Sequence, residues 1–214
     1  MKIGIIGSGI VGQTLGTGLV GLGHQVKIGS REPNSEKLQE WVSQTGAQAS
    51  TGTFAETAAF GDLIIISTFG EATENAVQLA DPKNFSGKVV IDTTNPLVHG
   101  PTGPKVVVSP GESLGEKIQR LLPDAYVVKA FNTVPAPSMI DANYFPEKAD
   151  MFICGNDEKA KQTVTEILTA FGWPVLDVGG IEEAFLIEAL TGLWVKYMLL
   201  SKNWQHAFKV VRKA

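Results

Sequence analysis

The segment best suited to chemistry is Ile5-Ile6-Gly7-Ser8-Gly9-Ile10-Val11-Gly12, a G-x-G-x-x-G pattern directly after an apolar run. In such a pattern Gly7 permits a tight strand-to-helix turn. Gly9 leaves room for a pyrophosphate against the backbone, and Gly12 lets the helix lie close to the sheet. The free amides and the positive end of the helix dipole then face the phosphates, so the expected ligand is a dinucleotide. Roughly 20 residues beyond the motif, where a carboxylate would select a free ribose hydroxyl, the chain reads Lys27-Ile28-Gly29-Ser30-Arg31. Ser30 offers a hydroxyl and Arg31 a planar fork of charge-assisted donors to a 2′-phosphate. The reading is NADP(H) rather than NAD, with Glu32 expected to point outward.

Ligands in folds of this kind sit beyond the carboxyl ends of the strands. Those ends read Thr68-Phe69-Gly70, Thr93-Thr94-Asn95-Pro96 and Asn132-Thr133-Val134-Pro135-Ala136. They hold small hydroxyls, amides, prolines and one aromatic ring, with no nucleophile–base pair and no metal cluster. Hydride transfer needs little more than a dry slot and a fixed nicotinamide face. No catalytic residue is therefore assigned; Asn132, Thr133 and His99 are the candidates, and an apolar slot for a ring-shaped acceptor is expected between Phe69 and Asn132. His99 lies on the long loop, where a solvated histidine is the plainer reading. His24 at a helix end and His206 near the terminus have no evident chemical role. Lys129 is unusual in an apolar strand and is expected to reach an edge or pair with a carboxylate. Glu71/Glu74 and Glu182/Glu183 read as solvated or capping, and Cys154 as a small buried hydrophobe.

Positioning these residues requires alternating strands and helices. Short Ile/Val-rich runs predict strands near 2–7, 25–30, 47–50, 62–67, 88–92, 125–131, 150–155 and 174–178. Helices are expected near 10–22, 35–45, 54–60, 71–80, 112–121, 134–141, 157–171 and from 182 onward. The continuous apolarity of Leu63-Ile64-Ile65-Ile66 fits a strand covered on both faces. The expected fold is α/β: a Rossmann-type, doubly wound, mostly parallel sheet with helices on both faces and a long C-terminal helix. Residues 1–180 form the NADP-binding domain; 181–214 form a helical segment, read as helix to about Arg212, that packs on the domain or on a second subunit. The stretch Thr93–Gly111 reads as one long irregular loop.

A chain of 214 residues carrying a net charge of −4 has a core large enough to fold without disulfides and no electrostatic case for nucleic acid. One cysteine allows no internal disulfide, and the chain opens directly into a strand, leaving no room for a signal peptide. The apolar stretch Ala189–Leu200, broken by Lys196, is too short to span a bilayer. The expectation is a cytoplasmic protein, a homodimer, with a small-molecule redox partner and no membrane or nucleic-acid partner.

The glycine motif with Val26-Lys27-Ile28-Gly29-Ser30-Arg31, together with Asp92-Thr93-Thr94-Asn95-Pro96, Val127-Val128-Lys129-Ala130-Phe131-Asn132-Thr133 and Ile153-Cys154-Gly155-Asn156-Asp157, resembles the coenzyme F420-dependent NADP oxidoreductases. It is equally similar to the NADPH-binding domain of the six-transmembrane metalloreductases. The resemblance implies that Gly7, Ser8, Gly9, Ile10 and Val11 contact the pyrophosphate and Ser30 and Arg31 the 2′-phosphate. Thr68, Phe69, Asn95 and Pro96 would line the path to the nicotinamide; Asn132, Thr133 and Ala136 would border the nicotinamide and the acceptor. It implies an oxidoreductase passing a hydride between NADPH and a deazaflavin or flavin (F420, FMN or FAD). The alternative is a non-catalytic NADP(H)-binding module that senses redox state or serves a partner. The archaeal deazaflavin enzymes carry a histidine where this chain has Asn132 and a tryptophan near Phe69, which leaves the acceptor open.

Overall fold

The computed structural model describes residues 1–101 and 103–213. In chain order the elements are β1 (Lys2–Ile6), α1 (Ile10–Gly21), β2 (Gln25–Gly29), α2 (Glu36–Thr45), β3 (Ala49–Gly52), α3 (Phe54–Phe60), β4 (Leu63–Ile66) and α4 (Thr73–Leu79). There follow β5 (Val89–Asp92), β6 (Leu97–Gly100), β7 (Gly103–Val106), α5 (Leu114–Leu121), β8 (Tyr126–Lys129), β9 (Met151–Gly155), α6 (Glu158–Ala170), β10 (Val175–Asp177) and α7 (Ala184–Ser201). Eight strands form one sheet in the order β10-β9-β8-β5-β4-β1-β2-β3. All neighbours run parallel except β8 and β9, so β9 and β10 point against the rest. This is the doubly wound α/β arrangement expected from the alternation of elements.

The sheet divides the core in two. Alternation along β1 sends Ile3 and Ile5 to the face covered by α1, α2 and α6, where they meet Leu15, Leu19, Trp41, Val164 and Leu168. Ile6, with Ile64, Ile66 and Val90, faces Ala58, Val77, Ile118 and Ile187 on the other side. Glycine inside a helix costs stability relative to alanine, and two of the later glycines of α1 have a packing reason. A side chain at Gly16 would strike the Trp41 ring, and one at Gly18 would overlap Ile140. Gly21 meets nothing, and the structure gives no reason for it.

Helix starts follow local chemistry. Thr53 with Glu56 and Ser113 with Glu116 form reciprocal capping boxes at α3 and α5, and Asp157 accepts from the Ala160 amide at α6, 2.8 Å.

Three segments differ from expectation. Residues 134–141 are not a helix but contain a 3-10 turn at Ala136–Ser138, because Pro135 and Pro137 remove backbone donors a helix would use. The long loop after β5 contains an antiparallel hairpin, with Leu97 opposite Val106 and Gly100 opposite Gly103. Finally, α7 ends at Ser201, with Lys202 in the left-handed region, and residues 202–213 turn back as irregular chain. That tail is tied to its own domain: Asp150 N–H donates to Phe208 O (2.9 Å), Val210 N–H donates to Asp150 Oδ2 (2.6 Å), and Trp194 Nε1 donates to His206 O (2.8 Å).

α7 with its preceding turn, Ile181–Ser201, is apolar enough by length and mean hydropathy (1.4) to cross a membrane, more than the shorter stretch read from sequence suggested. One face of it packs into the domain. Ala184 and Ile187 belong to the second core, and Glu188 and Thr191 are buried in hydrogen bonds to the domain.

Candidate functional site

The end of β1 forms the first wall of the site. Gly7 has φ +123°, a conformation that favours glycine, and its N–H donates to Gly29 O at the end of β2 (3.2 Å). A Cβ on Gly12 would overlap the Gly7 carbonyl oxygen, so this glycine sets how closely α1 meets the turn. Gly9 is different: a side chain there would meet no atom of the protein within 4 Å. Gly9 caps α1 without a side-chain hydrogen bond, and no acidic residue stands in the first turn. The orphan amides of the helix start are therefore free for an anion.

Around this end lies a cleft of about 420 Å3, lined by Gly7, Ser8, Gly9, Ser30, Arg31, Glu32, Ser67, Thr68 and Phe69 among others. Ser8 Oγ donates to Ser30 Oγ (3.2 Å), and the Glu32 amide donates to the same oxygen (3.1 Å), leaving the Ser30 proton for a ligand. Arg31 is exposed, and among the described residues no ion pair or hydrogen bond occupies its guanidinium. Glu32 is also exposed but lines the same cleft, so it does not simply point away. Ser35, Phe54 and Asn75 also line the cleft; they were not singled out in the sequence. Ser67, which follows β4 directly, could have been found from the rule of strand ends. Of the expected pyrophosphate contacts, Ile10 is exposed at the helix start, while Val11 packs toward the core and offers only its backbone.

The other rim residues gather in a second cluster. Thr73 Oγ1 donates to Phe69 O (3.1 Å), and the Thr68 hydroxyl lies 2.8 Å from that of Thr73. Asn132 Nδ2 donates to Thr94 O (2.8 Å) and to Asn95 Oδ1 (3.0 Å), drawing the ends of β5 and β8 together. Thr133 is buried, and Ala136 and Pro96 are half-buried. Phe131, the residue before Asn132, adopts φ +69°, a strained conformation for a bulky residue that turns the chain at the end of β8. His99 lies exposed on β6 with its ring 6.2 Å from that of Phe69, and no carboxylate holds it among the described residues.

Beneath the rim sits a buried ionic cluster. Lys129 Nζ contacts Asp92 Oδ2 (2.6 Å), Glu188 Oε1 (2.8 Å) and Thr94 O (2.9 Å), and all three charged side chains are 0% exposed. An ammonium has three N–H donors, and each finds an acceptor. Asp92 Oδ1 also accepts from the Thr94 amide (2.8 Å) and hydroxyl (2.6 Å), and Glu188 accepts from the Leu114 and Gly115 amides at the start of α5 (both 3.1 Å). Burial opposes the Lys129 charge, but Asp92 and Glu188 together outweigh it and hold the ammonium above the ordinary lysine value. Burial raises the Glu188 carboxyl, against the pull of Lys129. Lys129 thus pairs with carboxylates and has no free lone pair with which to act as a base. Burial also pushes the Cys154 thiol up to about 12, as expected of an inert buried cysteine. At His24, burial and the neighbouring amino terminus lower the pKa.

A cavity of about 580 Å3 opens between α4, α5 and the hairpin, lined by Pro96, Leu97, Val107, Leu114, Ile118 and Leu121. Gly70, which lines this cavity, is set so close to the Asn95 carbonyl oxygen that a side chain there would overlap it.

A family model described as NADP oxidoreductase, coenzyme F420-dependent, matches residues 2–96. An F420-dependent NADP reductase of Methanocaldococcus jannaschii is 31% identical over 212 residues, covering 92% of this chain and 94% of that protein. The metalloreductase STEAP3 of Rattus norvegicus is 34% identical over 190 residues; the match takes in 88% of this chain but only 36% of that protein. A crystal structure from Arthrobacter sp. FB24, provisionally described as an F420-dependent NADP-reductase, superposes with a TM-score of 0.93 at 33% identity, covering 99% of this chain and 100% of that one.

Proposed function

The chain belongs to the coenzyme F420-dependent NADP oxidoreductase family, and from that premise we propose that it exchanges a hydride between NADPH and a deazaflavin of the F420 type. Bound NADPH supplies the hydride, which reaches the acceptor ring together with a proton from water, leaving NADP+ and the reduced acceptor. The protein's share is to bind and orient. The observation that carries the cofactor reading is the open, uncapped start of α1: free amides beside a glycine with empty space in front of it, and Ser30 and Arg31 on the facing wall. A pyrophosphate suits the amides, and a 2′-phosphate suits the hydroxyl and the guanidinium.

From Thr68 and Phe69 on the wall of the cleft, the path to the nicotinamide would lead toward Asn95, Asn132 and Thr133. No proton relay is required of these residues, because hydride transfer proceeds by positioning. Asn132 and Phe69 stand where the archaeal enzymes have other side chains, so FMN and FAD belong in the test beside F420.

Anaerobic stopped-flow mixing of the NADPH-loaded protein with F420, FMN, FAD and a ferric chelate tests the proposal. Rapid NADPH oxidation with F420 is expected. Oxidation by none of them would overturn it in favour of a non-catalytic NADP(H)-binding module.

We also propose that two copies pair through α7. Its outer face leaves Leu186, Leu193, Tyr197 and Leu200 exposed at helical spacing.

A further inference from the structure

Lys129 and Asn132 meet at one atom. Both donate to the carbonyl oxygen of Thr94, at 2.9 and 2.8 Å, so both lone pairs of that oxygen are used. The second N–H of Asn132 goes to Asn95 Oδ1 at 3.0 Å. Turning the Asn132 amide over would set its oxygen against two other oxygens, so its orientation is determined. The arrangement leaves Asn132 Oδ1 buried without a partner. A buried orphan acceptor is unfavourable, and so is the positive φ of Phe131 that delivers Asn132 to this place. Both persist because the surroundings over-determine them: Thr191 of α7 donates to Asn132 O (3.0 Å), and Lys129 is held from three sides.

Asn95 is the outer end of this relay. Its oxygen is turned inward to Asn132, so its NH2 group is turned the other way. That NH2 has no protein partner among the described residues, and it is not among the buried unpartnered atoms. It is an oriented pair of donors at the rim, polarised by the Asn132 N–H that its own oxygen accepts.

We propose that Lys129 is a positioning residue for the nicotinamide end of the cofactor. Through Thr94 and Asn132 it fixes Asn95 so that the Asn95 NH2 donates to the carboxamide oxygen of the nicotinamide. This rests on the NADP(H) reading above and adds to it a recognition group and the buried charge that aims it.

The test compares two ligands, NADPH and 2′,5′-ADP, which shares the adenosine and 2′-phosphate but lacks the nicotinamide. Affinities are measured by calorimetry on the full chain. In Asn95→Asp, which cannot donate, NADPH should weaken about tenfold or more while 2′,5′-ADP changes less than twofold; a tenfold loss is about 1.4 kcal/mol. Lys129→Met should show the same split. If it does not fold, the variant D92N/K129M/E188Q, which leaves no buried unpaired charge, takes its place. Equal losses for both ligands in the Lys129 variants would reduce the cluster to a structural role. An unchanged NADPH affinity in Asn95→Asp would remove the proposed contact. Failure of the wild-type chain to bind 2′,5′-ADP at all would overturn the NADP(H) reading itself, a result distinct from either.

Discussion

Gly12 rests against the carbonyl oxygen of Gly7 so closely that even a methyl group on it would overlap that oxygen. The middle glycine of the motif, Gly9, has no such neighbour. The three glycines therefore answer to different demands, two to the protein's own packing and one to space that a ligand would fill.

Substitution separates these demands. Gly9 has φ −73° and ψ −176°, open to any residue. Gly9→Ala should leave the melting temperature nearly unchanged yet sharply reduce NADPH binding. Gly12→Ala should lower the melting temperature outright. Differential scanning calorimetry with and without NADPH checks both; a Gly9→Ala protein that binds as well as wild type would refute a phosphate site at this turn.

Arg31 bears on the choice of cofactor. Arg31→Ala is expected to weaken NADPH by roughly 10- to 100-fold, the range of charged hydrogen bonds, and NADH hardly at all. The NADPH affinity of the wild type should also fall with added salt, since the guanidinium is exposed. An equal loss for NADPH and NADH would argue against a 2′-phosphate contact.

Removing Lys129 strands two buried carboxylates. Lys129→Met should cost about 3–5 kcal/mol, a fall in Tm of roughly 6–20 °C for a chain of this size. The pH dependence has a definite sign. A lysine whose folded pKa is raised contributes stability that is fully present below its unfolded value, near 10.4, and is lost as pH rises through the folded value. The wild type should therefore lose stability above about pH 10, and Lys129→Met should lack that part of the alkaline decline in denaturant titrations.

Cys154 is buried, with its thiol pushed up to about 12. It should not react with a thiol reagent at pH 8 in the folded protein and should react fully once the chain is unfolded in denaturant. Fast labelling under native conditions would contradict its placement in the core.

Leu193 lies on the exposed face of α7, away from the cleft. If two copies pair there, Leu193→Asp should shift the protein from dimer to monomer in light scattering, with NADPH binding retained. A wild type that is monomeric at all concentrations would end the dimer proposal.

The glycine turn and the open helix start were legible in the sequence because their demands are local. A tight turn, a close helix and a free helix start all depend on consecutive residues, and Ser30-Arg31 follows in the next strand end. The eight strands of the sheet were legible for the same reason, as in Leu63-Ile64-Ile65-Ile66, whose apolar run fits cover on both faces. The hairpin of β6 and β7 was not, since four-residue strands rich in glycine and proline carry no alternation to read. Nor was the end of α7: the apolar spacing through Met198 gives no sign that the chain turns back and binds Asp150.

The sequence by itself determined the fold class, the dinucleotide motif and the presence of an odd lysine in an apolar strand. Only the tertiary structure decided what that lysine does. Asp92 lies 37 residues away and Glu188 comes from the terminal helix, yet they meet Lys129 within 2.8 Å. Steric and periodic preferences act between near neighbours along the chain. A buried charge instead takes its state from whichever groups folding brings within a few ångströms, and that distance is set by how strands and helices pack.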